Sequence, residues 1–301
     1  MPIIDVRNLR KRYGDRVAVD DVSFAVEPGE IFGIIGPNGA GKTTTVEIIE
    51  GLRRPDSGRV RVLGLDPWRD RTQVRRRVGV QLQRSELPEK ITVGEALELY
   101  ASFYPNPADP ARLLAELGLT AERDKAYAKL SGGQKQRLAM ALALVGNPEI
   151  AVLDELTTGL DPQARRDAWQ LIEEVRARGV TILLVTHFME EAQRLCDRIA
   201  LIDAGRVAVL DTPAGLISRV GARQRIRFRP ERDLADDLLT ALPEVHRVER
   251  DGGQVVVTGG KDLLLAVAAL LARHGVAVSE LQLDQPTLDD AYLTLTARSQ
   301  S

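Results

Sequence analysis

Cysteine is almost missing from this chain: Cys196 is the single one in 301 residues. One thiol excludes an intrachain disulfide framework and fits a reducing compartment, and alone it reads as a small buried hydrophobe. Long apolar runs are missing as well. No window approaches about 18 consecutive apolar residues, so nothing reads as a bilayer-spanning helix. The opening stretch "MPIIDVRNLRKRYG" lacks the apolar core of a signal peptide. There is no excess of either charge, with 41 Lys and Arg against 43 Asp and Glu and a formal net charge of -2. That balance argues against a dominant nucleic-acid surface. The short basic runs Arg75–Arg77 and "RNLRKR" read as solvated faces, and His246 and His274 stand in no metal-ligand pattern.

What remains is an ordinary globular composition, 44% hydrophobic and 28% charged, in a chain long enough for one large domain and a smaller one. Strands are predicted at Ile3–Leu9, Ala18–Val26, Ile31–Ile35 and Gly58–Gly64, with a helix starting near Gly41. Arg75–Gln83 ends a basic helix and becomes the strand "VGVQLQ". Thr92, with Glu95 three residues on, makes a capping box for a helix to Phe103. Asp109–Leu117 reads as a second helix stopped by Gly118, and Ser131 caps a third to about Val145. Together these predict a helical insertion near 84–145. Strands resume in "EIAVLDE" and "VTILLVTH" around the helix Pro162–Arg178, so the alternation predicts a parallel sheet with helices on its faces. "RIALID" and "GRVAVL" follow as strands. After about Leu216 the order is strand Arg225–Arg229, helix Glu231–Leu242, strands Val245–Arg250 and Gln254–Thr258, helix Lys261–His274 and strand Val276–Leu283. This β-α-β-β-α-β order is the ferredoxin-like arrangement. A closing helix, Thr287–Thr296, carries the apolar stripe Leu288, Ala291, Tyr292, Leu295.

The strongest motif is "GPNGAGKTT", Gly36–Thr44. It follows an apolar strand and opens a helix, the context a phosphate loop needs. Gly36, Gly39 and Gly41, with Pro37, Asn38 and Ala40 between them, let the backbone fold tightly around an anion and point several N–H groups inward. The helix start adds partial positive charge. Lys42 can reach the outer phosphates, the Thr43 hydroxyl can ligate Mg²⁺, and Thr44 continues the first turn. A nucleoside triphosphate is the implied ligand.

"IAVLDE" ends an apolar strand in Asp154 and Glu155. Neighbours on a strand point differently, so one can face Mg²⁺ and the other an attacking water. Alone such a pair is a solvated turn; beside a phosphate loop it reads as catalytic, with Glu155 as general base. His187 ends the next apolar strand, where a group could approach the terminal phosphate. A second anion-like motif is more puzzling. "LSGGQKQR", Leu130–Arg137, has a capping serine and two glycines at a helix start, although the chain already has a phosphate loop.

With these residues in view, the chain resembles the ATP-binding subunits of ABC transporters. The resemblance covers about residues 3–215 and rests on "GPNGAGKTT", "LSGGQKQR", "IAVLDELTTGLD" and "VTH" in that order. It implies an α/β P-loop NTPase fold: a RecA-like core with an antiparallel β subdomain and the helical insertion, in an ATP-binding domain 1–215. The accessory domain 216–301 is the α+β ferredoxin-like piece. By the same resemblance Tyr13 stacks on adenine, and Gln83 is the hinge glutamine that contacts Mg²⁺ and water, with Gln81 as the rival. Asp154 is the metal aspartate, Glu155 the base, Asp161 the intersubunit loop aspartate and His187 the switch histidine. The cofactors implied are ATP and Mg²⁺. The resemblance also explains the second motif. Two subunits pair head to tail, and Ser131, Gly132, Gly133 and Gln134 of one bind the nucleotide held by the other. One departure is Leu156, where the family has proline. Leucine leaves that turn freer than a residue with fixed φ would.

The implied partners are a second ATP-binding subunit, an identical copy being favoured, and a separate integral membrane permease docking near Gln83–Tyr104. No nucleic-acid partner is expected. The implied location is the cytoplasmic face of the membrane. "QPTLDDAYLTLT" resembles the end of ATPases serving daunorubicin-resistance-like exporters of drugs or antibiotics, with Gln285, Thr287 and Tyr292 departing from the commonest letters. An importer ATPase would share every catalytic residue. A soluble ABC ATPase acting on ribosomes or DNA would need a second cassette or a long coiled coil, and the chain shows one phosphate loop and no heptad insertion.

Overall fold

The computed structural model describes residues 1–81, 87–219, 224–232, 234–284 and 286–299. They form two compact units, Met1–Pro213 and Ala214–Ser301.

The first unit contains two sheets. Strands β1 (Ile4–Tyr13), β2 (Arg16–Val26), β3 (Ile31–Ile35), β4 (Ser57–Val62), β5 (Val78–Gln81), β6 (Ile150–Asp154), β7 (Thr181–Val185), β8 (Arg198–Asp203) and β9 (Arg206–Asp211) follow in chain order. β2, β1 and β4 make an antiparallel sheet in that order. The other sheet runs β5-β6-β7-β3-β8-β9, parallel except for the edge strand β9. β3 and β7 are buried at every residue, as strands covered on both faces must be. Phe24 of β2 stacks on Phe32 of β3 at 5.1 Å between ring centroids, tying the two sheets into one core.

β1 is longer than the sequence pattern predicts, because its charged second half is paired. A bulge at Arg7–Asn8, with Asn8 at φ 48°, turns Leu9 back into the core. The Lys11 ammonium then meets Asp56 at 2.8 Å, and the Arg12 N–H donates to Asp56 at 2.7 Å. The strand therefore reaches Tyr13, at the rim of the site.

Among the described residues three α-helices lie between β5 and β6. Val93–Ala101 starts with the predicted capping box, in which Thr92 Oγ1 accepts from Glu95 N–H and Glu95 answers to the Thr92 N–H. Pro110–Glu116 is capped by Asp109, and Gly132–Leu144 by Ser131. The last packs on β5, on β6 and on the helix Pro162–Ala177, and Arg137 pairs with Asp167 of that helix at 3.1 Å. Two short helices were not legible in the pattern, Met189–Leu195 and Pro213–Arg219.

The second unit has a four-stranded antiparallel sheet from β10 (Gln224–Pro230), β11 (Val245–Asp251), β12 (Gln254–Gly259) and β13 (Val278–Asp284), in the order β11-β12-β10-β13. With helices Asp236–Thr240 and Leu263–Arg273 between strands, this is the β-α-β-β-α-β order. Ile226, Phe228, Val255 and Val257 point to one face and form its core with Val267 and Leu271. The first helix is shorter than the expected Glu231–Leu242. Leu234, ahead of it, is buried in the core and its carbonyl accepts from Arg250. The closing helix Leu288–Ser299 buries Leu288 and Ala291, the start of the predicted stripe.

Candidate active site

β3 delivers the chain into a turn that has no room for side chains at two points. A Cβ on Gly36 (φ 150°) would lie 2.0 Å from the Ile202 carbonyl oxygen, and one on Gly41 (φ 103°) 2.3 Å from that of Ala18. The helix Lys42–Ile49 then begins at Gly41 with no side-chain cap, leaving first-turn amides for a bound anion. Lys42 is almost fully buried, and its Nζ donates to the carbonyls of Gly36 at 2.7 Å and Pro37 at 3.0 Å. Burial lowers its pKa, opposed by the charges of Glu155 and Asp154.

Around this turn lies an open pocket of about 480 Å³ lined by Tyr13, Asn38, Gly39, Gly41, Lys42, Thr43, Thr44, Asp154 and Glu155, with Arg16, Ala18 and Val185. Residues far apart in the chain thus meet at the ends of β1, β3, β6 and β7. Asp154 ends β6. Burial, then the charge of Glu155, raises its carboxyl to about 6 against the pull of Lys42. Glu155 has φ 51°, a left-handed conformation that costs a non-glycine residue on the order of 1–3 kcal/mol and concentrates at functional sites. The turn is held by the Glu155 N–H donating to Val185 O at 2.9 Å and by the Thr158 N–H donating to Glu155 O at 3.2 Å. Glu155 Oε1 lies 3.1 Å from His187 Nδ1. Leu156, in the position of the expected proline, is buried, so packing and these hydrogen bonds hold the turn where a fixed φ would.

A second pocket, about 520 Å³, is lined by Ser131, Gly132, Gly133 and Gln134 together with Leu156, Gly159, Leu160 and Asp161. Ser131 Oγ accepts from the Gln134 N–H at 3.2 Å, and Gln134 Oε1 accepts from the Ser131 N–H at 3.0 Å. Asp161 caps the helix Pro162–Ala177 through the amides of Gln163 and Ala164, at 3.0 and 2.9 Å. Among the described residues the two pockets have no lining residue in common.

Of the remaining sequence candidates, Gly36 and Pro37 serve as acceptors for Lys42, and the Ala40 carbonyl accepts from Gly205 N–H at 2.9 Å. Gln83 lies outside the described residues. Gln81, its rival, is buried at the end of β5 opposite Leu153 and does not line the pocket. Sequence reasoning missed Arg16, whose guanidinium donates to Gly39 O at 3.1 Å. Its only signal is a basic residue in the hairpin beside Tyr13, and no spacing rule distinguishes that from a solvated turn.

Glu50, at the end of the phosphate-loop helix, was also missed. Burial, then the charges of Asp154 and Glu47, raises its carboxyl to about 8. Below pH 4.5 folded and unfolded chains are both protonated there. As pH rises toward 8 the unfolded chain ionises first and stability is lost, by on the order of 3–5 kcal/mol once the folded group also ionises. Glu50→Gln cannot ionise. Its melting temperature, measured without nucleotide or metal, should match the parent's near pH 4.5 and exceed it increasingly up to pH 8.5. Parallel curves would remove Glu50 from this role.

Comparison with known proteins agrees with this geometry. Residues 19–158 match the family described as ABC transporter. A relative named Nod factor export ATP-binding protein I, from Burkholderia orbicola (strain AU 1054), is 40% identical over 98% of this chain and 97% of its own length. Among solved structures, an ATP binding subunit of an ABC transporter superposes with a TM-score of 0.66 at 30% identity, covering 72% of this chain and 93% of that one. The dimeric structure of a bacterial ABC transporter cassette gives 0.61 at 30% identity, over 69% and 98%. The chain belongs to the ABC transporter family, as one of its ATP-binding, ATP-hydrolysing subunits.

Proposed function

We propose that this chain powers a membrane exporter from the cytoplasmic face, as one of two head-to-tail copies that each complete the other's nucleotide site. One observation carries the pairing. A Cβ on Gly132 would meet nothing within 4 Å among the described residues, and one on Gly133 only the Ala164 methyl at 3.7 Å. The fold of this chain has room for side chains there, so their absence serves a group that approaches the backbone from outside. The helix behind these amides adds its dipole, and a phosphate on a second chain's loop fits both. A bacterial ABC transporter cassette among the structural relatives is itself dimeric, which supports pairing as such.

Within each site the roles follow from position. Tyr13, at the rim, offers a face to the adenine. Lys42 and the amides of Gly39–Thr44 take the phosphates. Thr43 and Asp154 are oxygen donors in the same pocket, a set that suits Mg²⁺. Asp154's raised pKa fits too, since a cation beside a buried carboxylate favours its charged form. When bound, Mg²⁺ would neutralise phosphate charge. Glu155 accepts a proton from the attacking water, and His187, hydrogen-bonded to its Oε1, holds that carboxylate in place.

Export is supported by the named export relative, similar over 98% of this chain. Among the described residues no helix is long and apolar enough to cross a membrane; on this reading a separate permease supplies the translocation path. Leu99 and Phe103, 47% and 66% exposed on and just after the helix Val93–Ala101, offer it an apolar contact. The pairing is tested by Ser131→Arg. It should leave ATP binding to the single chain intact and abolish ATP-driven dimerisation and turnover, read by light scattering and phosphate release. Unimpaired turnover would overturn the shared site.

A further inference from the structure

The helix that follows His187 carries an acidic residue outside the nucleotide pocket. Glu191, on Met189–Leu195, is 0% exposed. Its Oε1 accepts from the Thr157 hydroxyl at 2.8 Å and from the Trp169 indole N–H at 3.1 Å. Its Oε2 is buried with no hydrogen-bond partner among the described residues. Burying a carboxyl with one bare oxygen is costly, and an apolar side chain would fill a core position more cheaply.

The two donors come from informative places. Thr157 sits two residues after Glu155 and four before Asp161. Trp169 lies on the helix that Asp161 caps. Glu191 itself belongs to the helix that begins directly after His187 and Phe188. A second fastener joins the same pieces: the Arg165 guanidinium, in the first turns of the Asp161-capped helix, lies 4.6 Å from the Phe188 ring centroid. Three parts that the proposed mechanism treats separately are therefore bolted at one buried carboxyl: the turn leaving Glu155, the helix headed by Asp161, and the helix headed by His187.

We propose that Glu191 is a positioning residue for hydrolysis, locking the His187 segment to the Asp161 segment so that the two are displaced together. His187 serves the nucleotide in this chain's own pocket, and Asp161 lines the groove for the partner's. The lock carries the state of one nucleotide site to the other. It rests on the assignment of those two residues made above.

Steady-state ATP hydrolysis by the full chain tests it, with melting temperature measured alongside. Glu191→Ala should lower kcat roughly ten- to hundredfold with KM for ATP little changed, as expected when reacting groups are misplaced and not removed. Glu191→Gln keeps an oxygen that accepts both bonds and should restore kcat to within about threefold of the parent. Thr157→Val should share much of the loss, and the double variant Thr157→Val/Glu191→Ala should be no worse than Glu191→Ala alone. Should Glu191→Ala fail to fold, Thr157→Val against Glu191→Gln carries the comparison. A lowered melting temperature with kcat intact would reduce Glu191 to a packing role and overturn the proposal, as would losses that multiply in the double variant. Normal turnover in Glu155→Gln would instead overturn the underlying site, whatever the Glu191 variants do.

Discussion

Glu155→Gln should bind ATP and hydrolyse it more slowly by roughly 10²- to 10⁴-fold, the contribution typical of a positioned general base. The amide keeps the shape of the side chain and an oxygen to face His187, 3.1 Å away in the parent. It cannot take a proton from water. The backbone at φ 51° is unaffected by the exchange, so geometry and chemistry are separated in one variant. The electrostatics favour continued binding. The Glu155 charge is the second cause raising the Asp154 carboxyl, and removing it lets Asp154 ionise more readily, which helps it meet a cation. ATP and Mg²⁺ should therefore assemble a pair of chains that does not come apart, visible as a stable dimer by size-exclusion chromatography with phosphate release nearly abolished. Parent-like turnover would remove Glu155 from the role of base, and a strictly monomeric variant under saturating ATP would remove the paired site.

Lys42→Ala should lose nucleotide binding itself. Lys42 is 7% exposed, and two carboxylates, Glu155 and Asp154, act on it electrostatically. Deleting it leaves those carboxylates facing incoming phosphates without the buried cation that, among the described residues, offsets them. Truncating one partner of a buried, hydrogen-bonded charge pair in a complex costs about 2–5 kcal/mol, which corresponds to a rise in Kd of roughly one and a half to four powers of ten. The folded chain should tolerate the change, because Lys42 Nζ bonds only to the loop carbonyls of Gly36 and Pro37 among the described residues. Equilibrium titration with a fluorescent ATP analogue, with circular dichroism as the folding control, reads the effect. Affinity within a factor of a few of the parent would exclude Lys42 as the phosphate ligand.

The parts of the fold legible in sequence are those where one local rule decides. The limits of β3 follow from an unbroken apolar run ending in glycine, and the sequence range Ile31–Ile35 is the observed strand. Thr92 with Glu95 marks a helix start because the box is closed within four residues, and Ser131 marks another as a cap, to which the fold adds Gln134 as the other half of a box. Parallel strands around Pro162–Ala177 follow from alternation. What stayed hidden depends on distant partners. The charged half of β1 forms a strand because β2 pairs with it up to Tyr13 and Asp56, just ahead of β4, meets Lys11 and Arg12. Glu231–Leu242 has helical composition, yet Leu234 is claimed by the core and only Asp236–Thr240 coils. Within the site, the glycine loop and the strand-end carboxylates announce themselves by type and spacing. Arg16, Glu50 and, outside the pocket, Glu191 do not: Arg16 stays exposed in its hairpin, and acidic residues on a short helix look solvent-facing until the fold encloses them.

Under the proposed pairing, the two pockets, lined by separate sets of residues, make catalysis a property of a population, and a lone molecule holds two incomplete halves of different reaction chambers. On dilution, the specific rate of ATP breakdown should collapse while fractional saturation with ATP barely changes. Local crowding of these chains, as when two are tethered to one permease, then becomes a throttle in its own right.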